Sequence, residues 1–178
     1  MPGRMVALSL LPSPNRLAKQ APFGFGAFVI DPRSHGEASF ALYTQGYGAG
    51  HDPAPICDVI HRLFDPETVA LMCAPSRPEI GQFEALPLPD IYLDLVPRTG
   101  LRRNIFAPVP RHLLASAGRV GGLDLPEAEP TPLARLGQIG REAQAAWILW
   151  LQAYCPVNHR RKLLASYLAW RQLERARV

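Results

Sequence analysis

Arginine is the residue type in this sequence that is best suited to binding chemistry. The chain of 178 residues contains 17 arginines but only two lysines, and the planar guanidinium binds phosphate groups through paired hydrogen bonds. Residues 98–119 carry five arginines and no acidic residue, and residues 155–178 carry five arginines and one lysine against one acid. Two basic segments of this kind predict an anionic partner, either a nucleic acid (DNA or RNA) or an acidic protein surface.

The centre of the chain has the opposite charge, which leaves a second interpretation open. Residues 51–97 carry eight acidic residues against two arginines. The basic segments can therefore pair with these acids inside one molecule, or simply face solvent. If they bind nucleic acid, the candidate contact residues are Arg98, Arg102, Arg103, Arg111, Arg160, Arg161 and Lys162.

No histidine, serine or cysteine falls in a spacing typical of a catalytic or zinc-binding motif. The three cysteines are an odd number without a C-x-x-C pair, which predicts buried thiols in a reducing, cytoplasmic compartment. No apolar run is long enough to span a membrane, and we expect a strand rather than a signal peptide near the N-terminus. Asp94 is the most interesting acid, because a carboxylate within an apolar strand needs a partner such as a nearby arginine.

The apolar pattern predicts the strands that must position these residues. Short β-branched, aromatic or apolar runs bounded by turn residues predict strands at residues 5–11, 23–30, 38–44, 69–73 and 91–96. The second and third of these form a hairpin across a Pro- and Gly-containing turn. Gly24 and Gly26 lie inside a strand, where glycine permits a bulge or a close approach of another backbone.

Helical spacing predicts four helices that follow or separate these strands. They are expected from Pro53 to about residue 64, at residues 111–117, from a Thr131 cap to Tyr154, and in a basic segment at about 158–176 capped by Asn158. The third helix has an apolar stripe that we expect to face the core, formed by Leu133, Leu136, Ile139, Ala143, Trp147, Trp150 and Tyr154. No linker divides the sequence, so residues 1–178 are expected to form a single domain.

The order of these elements resembles a ribonuclease H-like α/β sheet, in which a three-strand antiparallel meander and parallel strands are flanked by helices. The later half is similar to the 3′–5′ exonucleases of the DEDD type, in particular relatives of the family B polymerase exonuclease domain. Three places carry this resemblance. They are the loop ending in Phe83-Glu84, the strand at residues 91–95 (IYLDL) with Asp94, and the apolar helix that Glu142 opens.

The resemblance implies a site in which carboxylates hold two Mg²⁺ or Mn²⁺ ions, with Glu84, Asp94 and Glu142 as the catalytic residues. The family's first strand supplies two further carboxylates, whereas residues 6–11 (VALSLL) supply none. We therefore expect no metal and no other cofactor, and a nucleic-acid-associated domain that has lost catalysis and acts as a binding or scaffold subunit.

Two alternative functions remain open at this point. The first is an active exonuclease that uses Mg²⁺ or Mn²⁺ and a further acid such as Asp31. The second is an interaction subunit of a larger complex with an acidic partner. For Glu84 and Glu142 individually, an ordinary surface or helix-capping role is the simpler interpretation.

Overall fold

A mixed four-stranded sheet with helices packed on it forms the described part of the chain. The computed structural model describes residues 3–12, 22–46, 58–59, 62–64, 68–73, 110–128 and 130–177. The strands are β1 (Met5–Pro12), β2 (Pro22–Pro32), β3 (Ala38–Gly46) and β4 (Val69–Cys73). Their order in the sheet is β3-β2-β1-β4, with β1, β2 and β3 antiparallel and β4 parallel to β1.

The helices cluster in the second half of the chain. They are α1 (Arg111–Val120), α2 (Pro132–Leu136), α3 (Ile139–Tyr154) and α4 (Val157–Ala176), and a 3-10 turn at Ser34–Gly36 joins β2 to β3. Residues 58–59 and 62–63 are also helical, within the predicted first helix. No described helix has the length and apolar character that a membrane span requires.

The predicted strands at 5–11, 23–30, 38–44 and 69–73 are confirmed, and so is the hairpin. The predicted strand at 91–96 lies outside the described residues. The same holds for five of the predicted site residues, namely Glu84, Asp94, Arg98, Arg102 and Arg103.

Strand β1 lies at the centre of the fold and is buried on both of its faces. Because side chains alternate along a strand, Met5 and Ala7 pack against the helical layer, while Val6 and Leu8 belong to a second cluster on the opposite face. Ser9 follows the alternation of Met5 and Ala7, so a hydroxyl group points toward the helices from an otherwise apolar strand.

Five aromatic rings join the sheet to α3 and α4. They belong to Phe28, Phe40, Trp147, Tyr167 and Trp170, and their contacting centroids are 5.3 to 6.0 Å apart. Burial raises the pKa of Tyr167, whose hydroxyl donates a hydrogen bond of 2.8 Å to the side-chain oxygen of Gln144. The predicted core role of Trp147 is confirmed, because its side chain is fully buried.

The long helix predicted from Thr131 to Tyr154 is wrong in its middle, because the chain turns at Gly137 between α2 and α3. The predicted cap is confirmed, since the Thr131 hydroxyl oxygen accepts a hydrogen bond of 3.3 Å from the Ala134 N–H. Leu133 of α2 is 78% exposed instead of in the predicted core stripe.

The start of α4 also differs from the sequence prediction. Pro156 occupies the capping position, and Asn158 lies within the first turn of the helix. Proline suits this place, because the N–H of the capping residue takes no part in the helix, while the Pro156 carbonyl accepts a hydrogen bond of 2.9 Å from the Arg160 N–H.

Gly26 of β2 lets α3 begin directly on the sheet. A Cβ atom at this position would lie 2.5 Å from the carbonyl oxygen of Ile139, the first residue of α3. Gly26→Ala is therefore expected to lower the free energy of unfolding by about 1–3 kcal/mol, measured by urea denaturation, because helix and strand must move apart. The predicted close approach at this glycine is confirmed.

Gly137→Ala is the matched control for this substitution. Its backbone has a helical φ of −69°, and a Cβ atom would meet nothing closer than the Ala134 carbonyl oxygen at 3.6 Å. We expect this substitution to raise the free energy of unfolding by at most about 1 kcal/mol. Equal losses for the two variants would contradict the close packing of α3 on β2.

Candidate functional site: a buried carboxylate between two arginines

Glu142 lies in the first turn of α3, on the side that faces β1. Its side chain is fully buried, with a relative exposure of 0%. The simpler interpretation, a surface or capping residue, is therefore wrong for this glutamate. A buried carboxylate without partners would be strongly disfavoured, so its stability in the fold depends on the groups around it.

Three donors surround the Glu142 carboxylate. The Ser9 hydroxyl donates a hydrogen bond of 2.6 Å to Oε2, and the Nε of Arg135 donates one of 3.2 Å to the same oxygen. Oε1 accepts a hydrogen bond from Nη1 of Arg111. Both carboxylate oxygens are thus engaged by donors that come from β1, α1 and α2.

The two guanidinium groups are themselves held in place by further contacts. Nη2 of Arg111 donates to the side-chain oxygen of Gln138 at 2.6 Å, and its Nε donates to the Pro126 carbonyl at 3.0 Å. Nη2 of Arg135 donates to the Leu10 carbonyl at 3.4 Å. Each guanidinium group is therefore held by at least one acceptor besides Glu142, which fixes the orientation of its plane.

We define the glutamate cluster as Ser9, Arg111, Arg135, Gln138 and Glu142. It contains two positive charges and one negative charge, and the side chains of Arg111 and Arg135 are only 10% and 7% exposed. Charges interact strongly at such sites because little water screens them. Glu142 also lies in the first turn of a helix, where the helix dipole favours a negative charge. The cluster therefore holds α1, α2 and α3 to the central strand.

The described residues do not fit the metal site that the resemblance implies. Mg²⁺ requires several oxygen ligands in octahedral geometry, yet both oxygens of Glu142 already accept hydrogen bonds. Within the described ranges, no three histidine, cysteine, aspartate or glutamate residues are grouped so that they could hold a metal ion. Asp31, the further acid considered for an active enzyme, instead pairs with Arg4 at 2.7 Å near the other end of β1.

Three exposed cations lie at the start of α4 and at the neighbouring hairpin turn, where the exposed Glu37 adds one negative charge. Arg161 and Lys162 are exposed in the first two turns of the helix, and Arg33 is exposed beside the turn at Ser34–Gly36. Lys162 contacts this turn, because a Cβ atom at Gly36 would be 3.3 Å from its Cδ. None of the three cations forms an ion pair with another described residue. We call Arg33, Arg161 and Lys162 the α4 basic patch.

The structure describes two more of the predicted basic contacts, Arg160 and Arg111. Neither belongs to the α4 basic patch. Arg160 is half-buried, and its Nη2 donates to the Cys155 carbonyl at 3.1 Å, just beyond the end of α3. Arg111 lies by the first turn of α3, inside the glutamate cluster. The four predicted basic residues that the structure describes are therefore divided between the two ends of α3. Of these four, Arg161 and Lys162 are exposed and form no ion pair with another described residue.

Sequence analysis missed three members of the glutamate cluster: Ser9, Arg135 and Gln138. Two signals were present in the sequence. Ser9 is the one hydroxyl residue in the run MVALSLLP of β1, and a buried polar group requires a partner. Arg135 and Glu142 are seven residues apart, which places two opposite charges on one face of the predicted helix.

The described residues thus contain an internal ion-pair cluster and, apart from it, a small cationic surface. Neither a protein-family model nor a curated protein matches the chain. Interpretation of the site therefore rests on its own geometry.

Proposed function

We propose that the chain is a nucleic-acid-binding scaffold with a ribonuclease H-like sheet, in which the glutamate cluster takes the place of a catalytic metal site. The observation that carries this proposal is the state of Glu142. This acid corresponds to a metal ligand in the resemblance, and here guanidinium groups hold both of its oxygens. The strand order β3-β2-β1-β4, with α3 crossing β1 and β2, supports the same type of fold.

The α4 basic patch supplies the nucleic-acid contact in this proposal. Exposed, unpaired arginine and lysine side chains bind backbone phosphates, and condensed counterions are released from the nucleic acid. Such contacts position a nucleic acid without identifying its bases. Binding is therefore expected to be independent of sequence and strongly dependent on salt, with Arg98, Arg102 and Arg103 as further contacts predicted from the sequence.

The glutamate cluster explains why binding would not lead to cleavage. Two-metal hydrolysis needs free carboxylates that hold the cations which activate water and stabilise the leaving oxygen. Glu142 instead forms ion pairs with two arginines that belong to the fold. The bound strand would thus be held but not hydrolysed, which suits a scaffold or an accessory subunit.

The experiment that tests this proposal is fluorescence anisotropy with labelled single-stranded DNA and RNA across a salt series. We expect the double variant Arg161→Ala/Lys162→Ala to bind about tenfold more weakly at low salt, since two phosphate contacts are removed. Its slope of log K against log salt should fall by about 1.4. Both changes follow from lost ionic contacts rather than from lost folding.

Arg177→Ala is the control, because it removes an exposed arginine near the far end of α4 that already pairs with Glu174. It should bind like the unmodified chain. Equal affinity for the double variant and the unmodified chain would contradict the proposed surface. An absence of binding at low salt would refute the nucleic-acid proposal and favour an acidic protein partner.

A further inference from the structure

His159 lies in the first turn of α4, beside the α4 basic patch. Its side chain is exposed, and Lys162 follows three residues later, which places both on the same face of the helix. Both side chains also border the turn at Ser34–Gly36. A Cβ atom at Gly36 would be 3.9 Å from Cδ2 of His159 and 3.3 Å from Cδ of Lys162. These two atoms are therefore closer together than the electrostatic screening length of about 8 Å at physiological ionic strength.

The surroundings of His159 are mainly cationic. Charged and titratable neighbours come from the first turns of α4, from the hairpin turn and from the end of α3, while β3, which α4 also contacts, has no charged residue. Glu37 is the acid of these segments, and it forms no ion pair with His159 in the described part of the chain. Asp31 of β2 is paired with Arg4. The neighbouring groups are Arg160, Arg161, Lys162, Arg33, His35, Glu37, Tyr154 and Cys155.

We propose that His159 is a further contact of the nucleic-acid surface, one that binds phosphate mainly when its ring is protonated. This inference rests on the proposed function of the α4 basic patch. Histidine is the side chain that changes charge between pH 5 and 8. Its neutral ring has one N–H donor, whereas the imidazolium has two donors and a positive charge. Binding of a nucleic acid is therefore coupled to proton uptake at His159.

The negative charge of the phosphates sets the direction of this coupling. At acidic pH an imidazolium beside the bound strand adds one ionic contact to those of the α4 basic patch, so affinity rises as pH falls. A further phosphate contact also makes the slope of log K against log salt steeper, by about 0.7 for a single strand. For one exposed contact we expect a gain in affinity of about threefold between about pH 7.5 and about pH 5.5.

Fluorescence anisotropy with a rhodamine-labelled oligothymidylate, at these two pH values and constant ionic strength, tests this inference. Neither the bases nor the label of this probe titrates in that range. His159→Gln should bind like the unmodified chain at the higher pH and lose most of the gain at the lower pH. His159→Arg carries a fixed charge. At the higher pH it should bind about threefold more tightly than the unmodified chain, and its response to pH should be smaller.

His112→Gln is the matched control, because His112 is also exposed but lies in the first turn of α1, at the other end of α3 from the patch. It should keep the full response to pH. This separates a local contact from the general gain of positive charge on acidification. Circular dichroism at both pH values checks that each variant is folded.

The outcomes separate this inference from the proposed function. The inference alone is overturned if binding is salt-sensitive but His159→Gln and His112→Gln respond equally to pH. It is also overturned if His159→Arg binds no more tightly than the unmodified chain at the higher pH. An absence of binding at both pH values, even at low salt, would refute the proposed nucleic-acid function and this inference with it.

Discussion

Glu142→Ala is expected to lower the free energy of unfolding by about 3–5 kcal/mol, because breaking a buried ion pair leaves the remaining charges uncompensated. The guanidinium groups of Arg111 and Arg135 would keep their internal positions without their shared counter-ion. The Ser9 hydroxyl would also lose its acceptor. Urea denaturation followed by circular dichroism measures this loss, with the midpoint and the slope both recorded.

Two other variants separate the buried charge from ordinary surface effects. Glu127→Ala removes an exposed ion pair with Arg119, in which both side chains are more than 60% exposed. It should therefore lower stability by only about 0–1 kcal/mol. Glu142→Gln keeps the shape and one acceptor oxygen but removes the charge. Its loss of unfolding free energy should therefore fall between those of Glu142→Ala and Glu127→Ala. A loss below about 1 kcal/mol for Glu142→Ala would contradict the arrangement of the glutamate cluster.

Phe28→Ala is expected to lower the free energy of unfolding by about 3–5 kcal/mol, the range for deleting a large buried aromatic side chain. The Phe28 ring contacts four others, those of Phe40, Trp147, Tyr167 and Trp170, at centroid distances of 5.5 to 5.8 Å. Its removal would leave a cavity between the sheet and α4. The same urea denaturation measures the loss.

Tyr167→Phe is the control for the aromatic cluster. It keeps the ring but removes the hydroxyl that donates to Gln144, so we expect a loss of about 1 kcal/mol. Nucleic-acid affinity should fall for Phe28→Ala more than for Tyr167→Phe, because α4 then loses its fixed position on the sheet. If Phe28→Ala were as stable as Tyr167→Phe, the rings would not be the contact that holds α4.

A buried ion pair does not by itself make a fold more stable than apolar packing would. The glutamate cluster has a different consequence, which follows from where its members come from. Ser9 is on β1, Arg111 on α1, Arg135 on α2 and Glu142 on α3. The hydrogen bonds to the carboxylate form only when these four elements lie together. The cluster therefore ties the helical layer to the central strand.

Local signals in the sequence were sufficient for most of the elements. Runs of apolar and β-branched residues predicted β1 to β4, and the Thr131 cap and the position of Trp147 followed from local spacing. The break at Gly137 was missed because helical periodicity continues across it. Tertiary contacts accompany the break: α3 contacts β2 closely at Gly26, and Leu136 of α2 lies beside Gly24 and Gly46.

The site could be predicted only in part. Glu142 was identified as a candidate acid, but its burial and its partners depend on contacts that span the chain. Ser9 is 133 residues away from Glu142 in sequence, and no local pattern joins them. Arg111 was predicted to face a nucleic acid because it lies in a basic segment. Net charge in a segment does not distinguish a surface arginine from one that neutralises a buried acid.

In the proposed function, guanidinium groups occupy the carboxylate that a metal-dependent nuclease would use. The most direct test incubates the chain with an end-labelled single-stranded oligonucleotide, in Mn²⁺ and separately in a chelator, and follows both anisotropy and product length. We predict salt-sensitive binding that does not require Mn²⁺, and an oligonucleotide that remains intact. A ladder of shortened products that requires Mn²⁺ and is lost in Glu142→Gln would contradict the account, because it would show that Glu142 is free to hold a metal ion.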